Sequence, residues 1–140
     1  MMENWLKYFE EHRAEQCPIG TAFLFNLIKD LKPNVYVETG CAHLATFKVY
    51  SSHLPSDGLA IGVDIICYPP WKTYQSEVKT ELVHGTLSNP STKAKFIKAL
   101  NGRSIDLAFI DGDHQYEGVK TDWEAIRPHL RSGSLIIFHD

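Results

Sequence analysis

Residues 33 to 64 decide the fold. Pro33-Asn34 halts a helical pattern, Val35-Tyr36-Val37-Glu38-Thr39-Gly40 runs as a strand into a glycine, and Leu59-Ala60-Ile61-Gly62-Val63-Asp64 repeats the theme one crossover later. Before the proline, Leu24, Leu27, Ile28 and Leu31 recur at helical spacing, so a helix feeds the first strand. Between the strands a helix is expected from about His43 to His53, closed by Leu54-Pro55-Ser56-Asp57-Gly58, with the second apolar run extending to Ile66. A strand, helix, strand series of this length makes a parallel pair, because a tight hairpin has no room for the crossover.

The pattern continues toward the C-terminus. Glu81-Leu82-Val83-His84 reads as a short third strand, and Asn89-Pro90 as an N-cap with proline at the first helical position of a helix through Leu100, stopped by Asn101-Gly102. Ile105 to Ile110 is a buried strand. Val119, Trp123, Ile126 and Leu130 mark the inner face of the next helix, Ser132-Gly133 ends it, and Leu135 to Phe138 is the last strand. Short apolar strands alternating with amphipathic helices define a doubly wound α/β domain with a parallel sheet covered on both faces. The first strand should be flanked by the second and fourth, with Val37, Ile61, Val63, Phe109, Ile110, Ile136 and Ile137 buried. Residues 1–32 read as a helical segment of the same domain and 33–140 as its ligand-binding body.

Composition narrows the function. A formal charge of -3 over 140 residues gives no electrostatic basis for nucleic-acid binding. Lys93, Lys95 and Lys98 fall on a helix whose Phe96, Ile97 and Leu100 turn the other way, so they read as a solvated face. Three cysteines without a C-x-x-C pair indicate neither a disulfide framework nor a zinc knuckle, and no apolar run approaches a membrane span. A cytoplasmic protein with no membrane partner is expected.

In such sheets ligands bind beyond the carboxyl ends of the strands. Those positions hold Glu38-Thr39-Gly40, Asp64, Gly85-Thr86, Asp111-Gly112-Asp113-His114 and His139-Asp140. Glycine admits a ligand close to the backbone, and a carboxylate one βαβ step on can accept both hydroxyls of a ribose.

Glu38-Thr39-Gly40 with Gly62-Val63-Asp64 resembles the first two motifs of class I S-adenosylmethionine-dependent methyltransferases. The segment from Phe109 through Asp111-Gly112-Asp113-His114-Gln115-Tyr116-Glu117-Gly118-Val119-Lys120 to Phe138-His139-Asp140 resembles a group of small bacterial sugar and natural-product O-methyltransferases. The resemblance covers roughly residues 33 to 140. It implies a Rossmann-like methyltransferase fold and O-methyl transfer from S-adenosylmethionine to a small hydroxylated acceptor. Glu38, Gly40, Cys41, Asp64, Thr86 and Asp111 would bind the cofactor, with Glu38 helping to hold the methionine amino group. Some relatives hold a divalent cation, and by position Asp111, His139 and Asp140 would be its ligands, with Mg²⁺ or a softer ion bound. His114 is the alternative catalytic group, as the base that takes the acceptor's proton, with Asp111 beside it.

Departures from the family pattern are visible. Leu44 stands where a second glycine is common, and its bulk is expected to narrow the cofactor cleft. Thr86 replaces an acid near the adenine region. Relatives continue past the fifth strand into an antiparallel pair, so a sheet lacking those strands is expected for the chain as given, its open edge covered by another subunit in a homo-oligomer, by the N-terminal helices, or by residues absent from this sequence. Trp71 and Tyr74 read as packing residues with a smaller claim to stacking on adenine or acceptor. Competing functions remain. A non-catalytic or truncated cofactor-binding module is one. A nicotinamide-dependent Rossmann protein is another, although its fingerprint wants glycine where Ala42 stands. A metal-dependent glycosyltransferase rests on Asp111-Gly112-Asp113 alone.

Overall fold

The computed structural model describes residues 17–139. Helix α1 (Pro18–Leu31) leads into β1 (Val35–Thr39), α2 (Ala45–Ser51) and β2 (Leu59–Asp64). A 3₁₀ turn (Pro69–Lys72) precedes β3 (Lys79–His84), followed by α3 (Pro90–Leu100), β4 (Ile105–Ile110), α4 (Tyr116–Ile126), a second 3₁₀ turn (Arg127–His129) and β5 (Leu130–Phe138). The five strands pair in the order β3-β2-β1-β4-β5, every neighbour parallel, and β1 lies between β2 and β4 as its sequence requires.

Strand alternation sorts the core into two halves. Val35 and Val37 of β1, Ile61 and Val63 of β2, and Ala108 and Ile110 of β4 face Phe96 and Leu100 of α3 and Ile126 of α4. Tyr36, Ala60, Leu107 and Phe109 face the other way, onto Ile28 of α1, Phe47 and Tyr50 of α2, and Trp71. Successive strand residues point to opposite faces, so both layers are covered by helices and the strands read as continuous apolar runs. α3 begins as expected: the Asn89 side chain accepts from the backbone N–H groups of Ser91 (2.9 Å) and Thr92 (3.3 Å). It ends on Asn101 in the left-handed region.

Several sequence readings need correction. Leu130 is not on the helix face: α4 stops at Ile126, a Pro128-containing turn follows, and Leu130 opens β5 opposite Ile105. β5 then shifts register before Leu135 pairs with Leu107, with Gly133 at φ 86 in between. Ile136 and Ile137 are half-buried, because β5 is an edge strand. Ile97 is 43% exposed and shares the solvated face of α3 with the lysines. β2 ends at Asp64, and Ile65 and Ile66 lie exposed beyond it.

Candidate active site

The carboxyl edge of the sheet is assembled by backbone bonds that prolong the ladder past the strand ends. Gly40 N–H donates to the Val63 carbonyl and Gly85 N–H to that of Asp64, both at 2.8 Å, while Asp111 N–H and His139 N–H donate to Thr39 and Ile110, both at 3.0 Å. Gly85, Asp64, Gly40, Asp111 and His139 therefore stand in a row in the order of the strands. Gly40 is at φ +81, and a Cβ there would lie 2.0 Å from the Asp111 carbonyl oxygen, so β1 and β4 close on each other only around glycine.

Over the β3, β2 and β1 end of this row opens a cavity of about 480 Å³. Thr39 and Gly40, Asp64, Thr86 and Ser88, and Gly112, Asp113, Glu117 and Asp122 are among its lining residues. Its titratable lining groups are Asp64, Asp113, Glu117 and Asp122, all carboxylates. The volume falls within the range of small-molecule and cofactor sites.

Asp64 is committed to the loop around it. Its Oδ2 accepts from Ala42 N–H at 2.8 Å and its Oδ1 from Ile66 N–H at 2.9 Å. A carboxylate offers about four acceptor positions, so each oxygen keeps capacity for a ligand hydroxyl. The loop after β1 is held from the far side by Trp71, whose Nε1–H donates to the Ala42 carbonyl at 2.9 Å. Trp71 is thus a packing residue, and Tyr74 lies against Phe47.

Leu44 does not narrow the cleft. Its backbone takes the left-handed conformation (φ 68) that glycine would adopt easily, and its side chain turns into the core, fully buried. Cys41 likewise sends its thiol inward, toward the carbonyls of Glu38 (3.3 Å) and Val63 (3.8 Å), and burial pushes that thiol well above its usual range. The side chain of Cys41 is therefore an inert part of the core.

Glu38 is fully buried and stands behind the loop, outside the cavity wall. The Tyr36 hydroxyl donates to one carboxyl oxygen and the Thr46 hydroxyl to the other. Burial pushes its pKa up to about 8; the two hydroxyls oppose this, and the charges of Asp111 and Asp64 add to it. At neutral pH Glu38 is largely a neutral acid.

At the β4 and β5 end of the row sits a second group. The ligand atoms of Asp111, His114 and His139 all lie within 4.8 Å of one another. Asp111 Oδ1 is 2.9 Å from His139 Nδ1 and 3.4 Å from His114 Nε2. His139 Nδ1 is buried and lacks a hydrogen bond of good geometry. One carboxylate and two imidazoles form a donor set that suits a divalent ion softer than Mg²⁺. The structure brings His114 into this group alongside Asp111 and His139, whereas Asp140 lies outside the described residues.

Asp122 has no place among the sequence-derived candidates. It sits on α4 against Gly112, where a Cβ would come within 3.0 Å of its Oδ2 and 3.6 Å of Thr39 Oγ1. The available signal was Gly118, Thr121 and Asp122 at helical spacing, a polar stripe beside the apolar one.

The α/β domain has its polar cavity at the carboxyl edge of the sheet, with a glycine at the first turn and an acid closing the second strand, where open parallel sheets place their ligands. The profile of the methyltransferase-domain family matches residues 37–140, and the chain belongs to that family. No curated protein sequence matches it significantly. Among solved structures, an O-methyltransferase from Bacillus cereus in complex with SAH is similar over 98% of this chain and 64% of its own, at 16% identity and TM-score 0.67. The calicheamicin methyltransferase CalS11 is similar over 86% and 62% respectively, at 17% identity and TM-score 0.61. MycE of the mycinamycin pathway, solved with Mg, SAH and mycinamycin VI, is similar over 85% of this chain and 33% of its own, at 19% identity and TM-score 0.62. The chain thus spans 64% of the Bacillus cereus protein, and these likenesses establish the fold.

Proposed function

We propose that this chain carries the cofactor site of an S-adenosylmethionine-dependent O-methyltransferase acting on a small hydroxylated acceptor. The observation that carries the reading is the adjacency of two sites along one sheet edge: a cavity of about 480 Å³ walled by Gly40, Asp64 and Thr86, and the Asp111, His114, His139 group beside it. The reading is supported by Gly40, which lines the cavity without a side chain, and by Asp64, which keeps acceptor capacity for ribose hydroxyls. Thr86, whose hydroxyl is 3.1 Å from that of Ser88, lines the β3 side where the adenine would lie.

S-adenosylmethionine, when bound, supplies an electrophilic methyl group on a sulfonium, and the acceptor oxygen must lose a proton as it takes that methyl. His114 is half-exposed, with Nε2 toward Asp111. Asp111 orients the imidazole through Nε2–H, and Nδ1 is left to take the acceptor's proton. Asp111, His114 and His139 would instead hold a divalent cation, a reading favoured by the convergence of their ligand atoms within 4.8 Å of one another; such an ion, when bound, acidifies a hydroxyl. Three free cysteines support a cytoplasmic setting. No helix among the described residues is long and apolar enough to cross a membrane.

The test is methyl transfer from S-adenosylmethionine to a panel of catechol and sugar acceptors, with and without EDTA. Turnover lost on chelation and restored by a divalent ion assigns the metal route, and turnover indifferent to chelation assigns His114. Absence of SAH binding, together with tight NADH binding, would move the protein to another class.

A further inference from the structure

The cavity has a carboxylate at each end. Asp64 closes β2, and Asp122 stands on α4 beneath Gly112, next to the ends of β1 and β4. The acid closer in sequence to the first turn, Glu38, is shut away on the opposite face, both oxygens taken by Tyr36 and Thr46. Asp113 is exposed, its Oδ1 accepting from Gln115 N–H at 2.9 Å and its side chain packed where Gly118 lacks a Cβ. Glu117 is exposed at the rim.

Asp122 differs from these. It is half-buried on the cavity wall beside Thr39, and Thr39 is itself 2% exposed, its hydroxyl without a hydrogen bond of good geometry. Two oxygen-bearing side chains thus converge on the inner wall of the cavity with acceptor capacity unspent. Among the described residues no lysine, arginine or histidine lines the cavity. A ligand held by its ribose at Asp64 and extending along the edge toward β4 would bring its far end to Thr39 and Asp122. That end calls for a cation with several N–H donors, the character of an α-ammonium.

We propose that Asp122, with Thr39, holds the α-ammonium of the cofactor's methionine portion, the role expected from sequence for Glu38. This rests on the cofactor reading above. Burial raises the pKa of Asp122 above the usual carboxylate value; the facing Thr39 hydroxyl opposes that rise and Asp113 adds to it. A bound ammonium would draw the group back toward its charged form.

Calorimetry with two probes tests it: SAH, which has the amino-acid portion, and 5′-methylthioadenosine, which lacks it. In Asp122→Asn, SAH affinity should fall by about tenfold or more, the scale of losing a hydrogen bond to a charged group, while methylthioadenosine binds as to the parent. Methylthioadenosine binding reports that the variant is folded, and Asp122→Ala repeats the comparison. Glu38→Gln should leave the ratio of the two affinities at the parent value. Equal loss for both probes, no loss for either, or a ratio changed by Glu38→Gln and not by Asp122→Asn, overturns the assignment. A parent protein that binds neither probe overturns the cofactor reading itself, and this inference with it.

Discussion

Asp64 reaches across from the end of β2 to the loop after β1, its Oδ2 accepting the Ala42 N–H at 2.8 Å. The residue expected to bind ribose is therefore also the one that shapes the loop next to it. A single carboxylate couples the conformation of the first turn to the second strand, and a change there acts on both.

Asp64→Ala should accordingly weaken SAH by roughly 1–3 kcal/mol and lower the melting temperature as well, since two backbone donors lose their acceptor. Calorimetry and a thermal melt read the two effects separately. Unchanged affinity in a destabilised variant would leave Asp64 a purely structural residue.

Ala42 and Leu44 both hold positive φ, at 42 and 68, yet replacement by glycine should have opposite effects. Ala42 is exposed, so Ala42→Gly relieves left-handed strain and should stabilise by up to ~1 kcal/mol. Leu44 is fully buried among Phe47 and its neighbours, so Leu44→Gly leaves a cavity and should destabilise by ~2–4 kcal/mol despite the relieved backbone. Urea unfolding of the two variants checks the sign, and SAH affinity unimproved in Leu44→Gly checks that the leucine does not obstruct the cleft.

Glu38 makes stability depend on pH. Its carboxyl titrates near 4.5 when unfolded and at about 8 when folded, so between those values the folded protein binds the extra proton. Its contribution is complete below about pH 4.5, is lost progressively as pH rises to about 8, and stays lost above. Glu38→Gln keeps a neutral polar group there. The variant should lose less stability than the parent between about pH 5 and 9, by a few kcal/mol (~3–5) at the alkaline end, because each tenfold difference in proton affinity between the folded and unfolded chain is worth about 1.4 kcal/mol. Melting temperatures of both proteins across that range decide it, and parallel curves would refute the raised pKa of Glu38.

The Asp111, His114 and His139 group makes a prediction that needs no acceptor. Mn²⁺ titration should show one site, weakened at least about tenfold in Asp111→Asn and in His139→Ala, with affinity falling as pH drops because imidazole binds metal only when neutral. Equal Mn²⁺ binding in parent and variants would remove the ion from these residues and leave His114 with the acceptor's proton.

The parallel sheet, the position of β1 between β2 and β4, and the gathering of Gly40, Asp64, Thr86 and Asp111 along one edge were legible in the sequence. Apolar runs of strand length, alternating with helices, admit few right-handed windings, and every strand end must then fall on the same side. The boundary of α4 was not legible. Leu130 continues the helical spacing, and only pairing with Ile105 draws it into β5.

Side-chain direction at the first turn was decided by tertiary structure. Glu38 and Thr39 are neighbours in sequence, but a strand sends them to opposite faces: Glu38 to Thr46 on α2, Thr39 to Asp122 on α4. Sequence spacing assigns an acid to the turn without fixing which layer it enters. The meeting of Thr39 with Asp122, 83 positions apart, exists only because β1 and β4 pair and α4 folds back over their shared edge. The same holds for Leu44, whose residue type indicates a blocked cleft, while the left-handed backbone at φ 68 turns the side chain into the core.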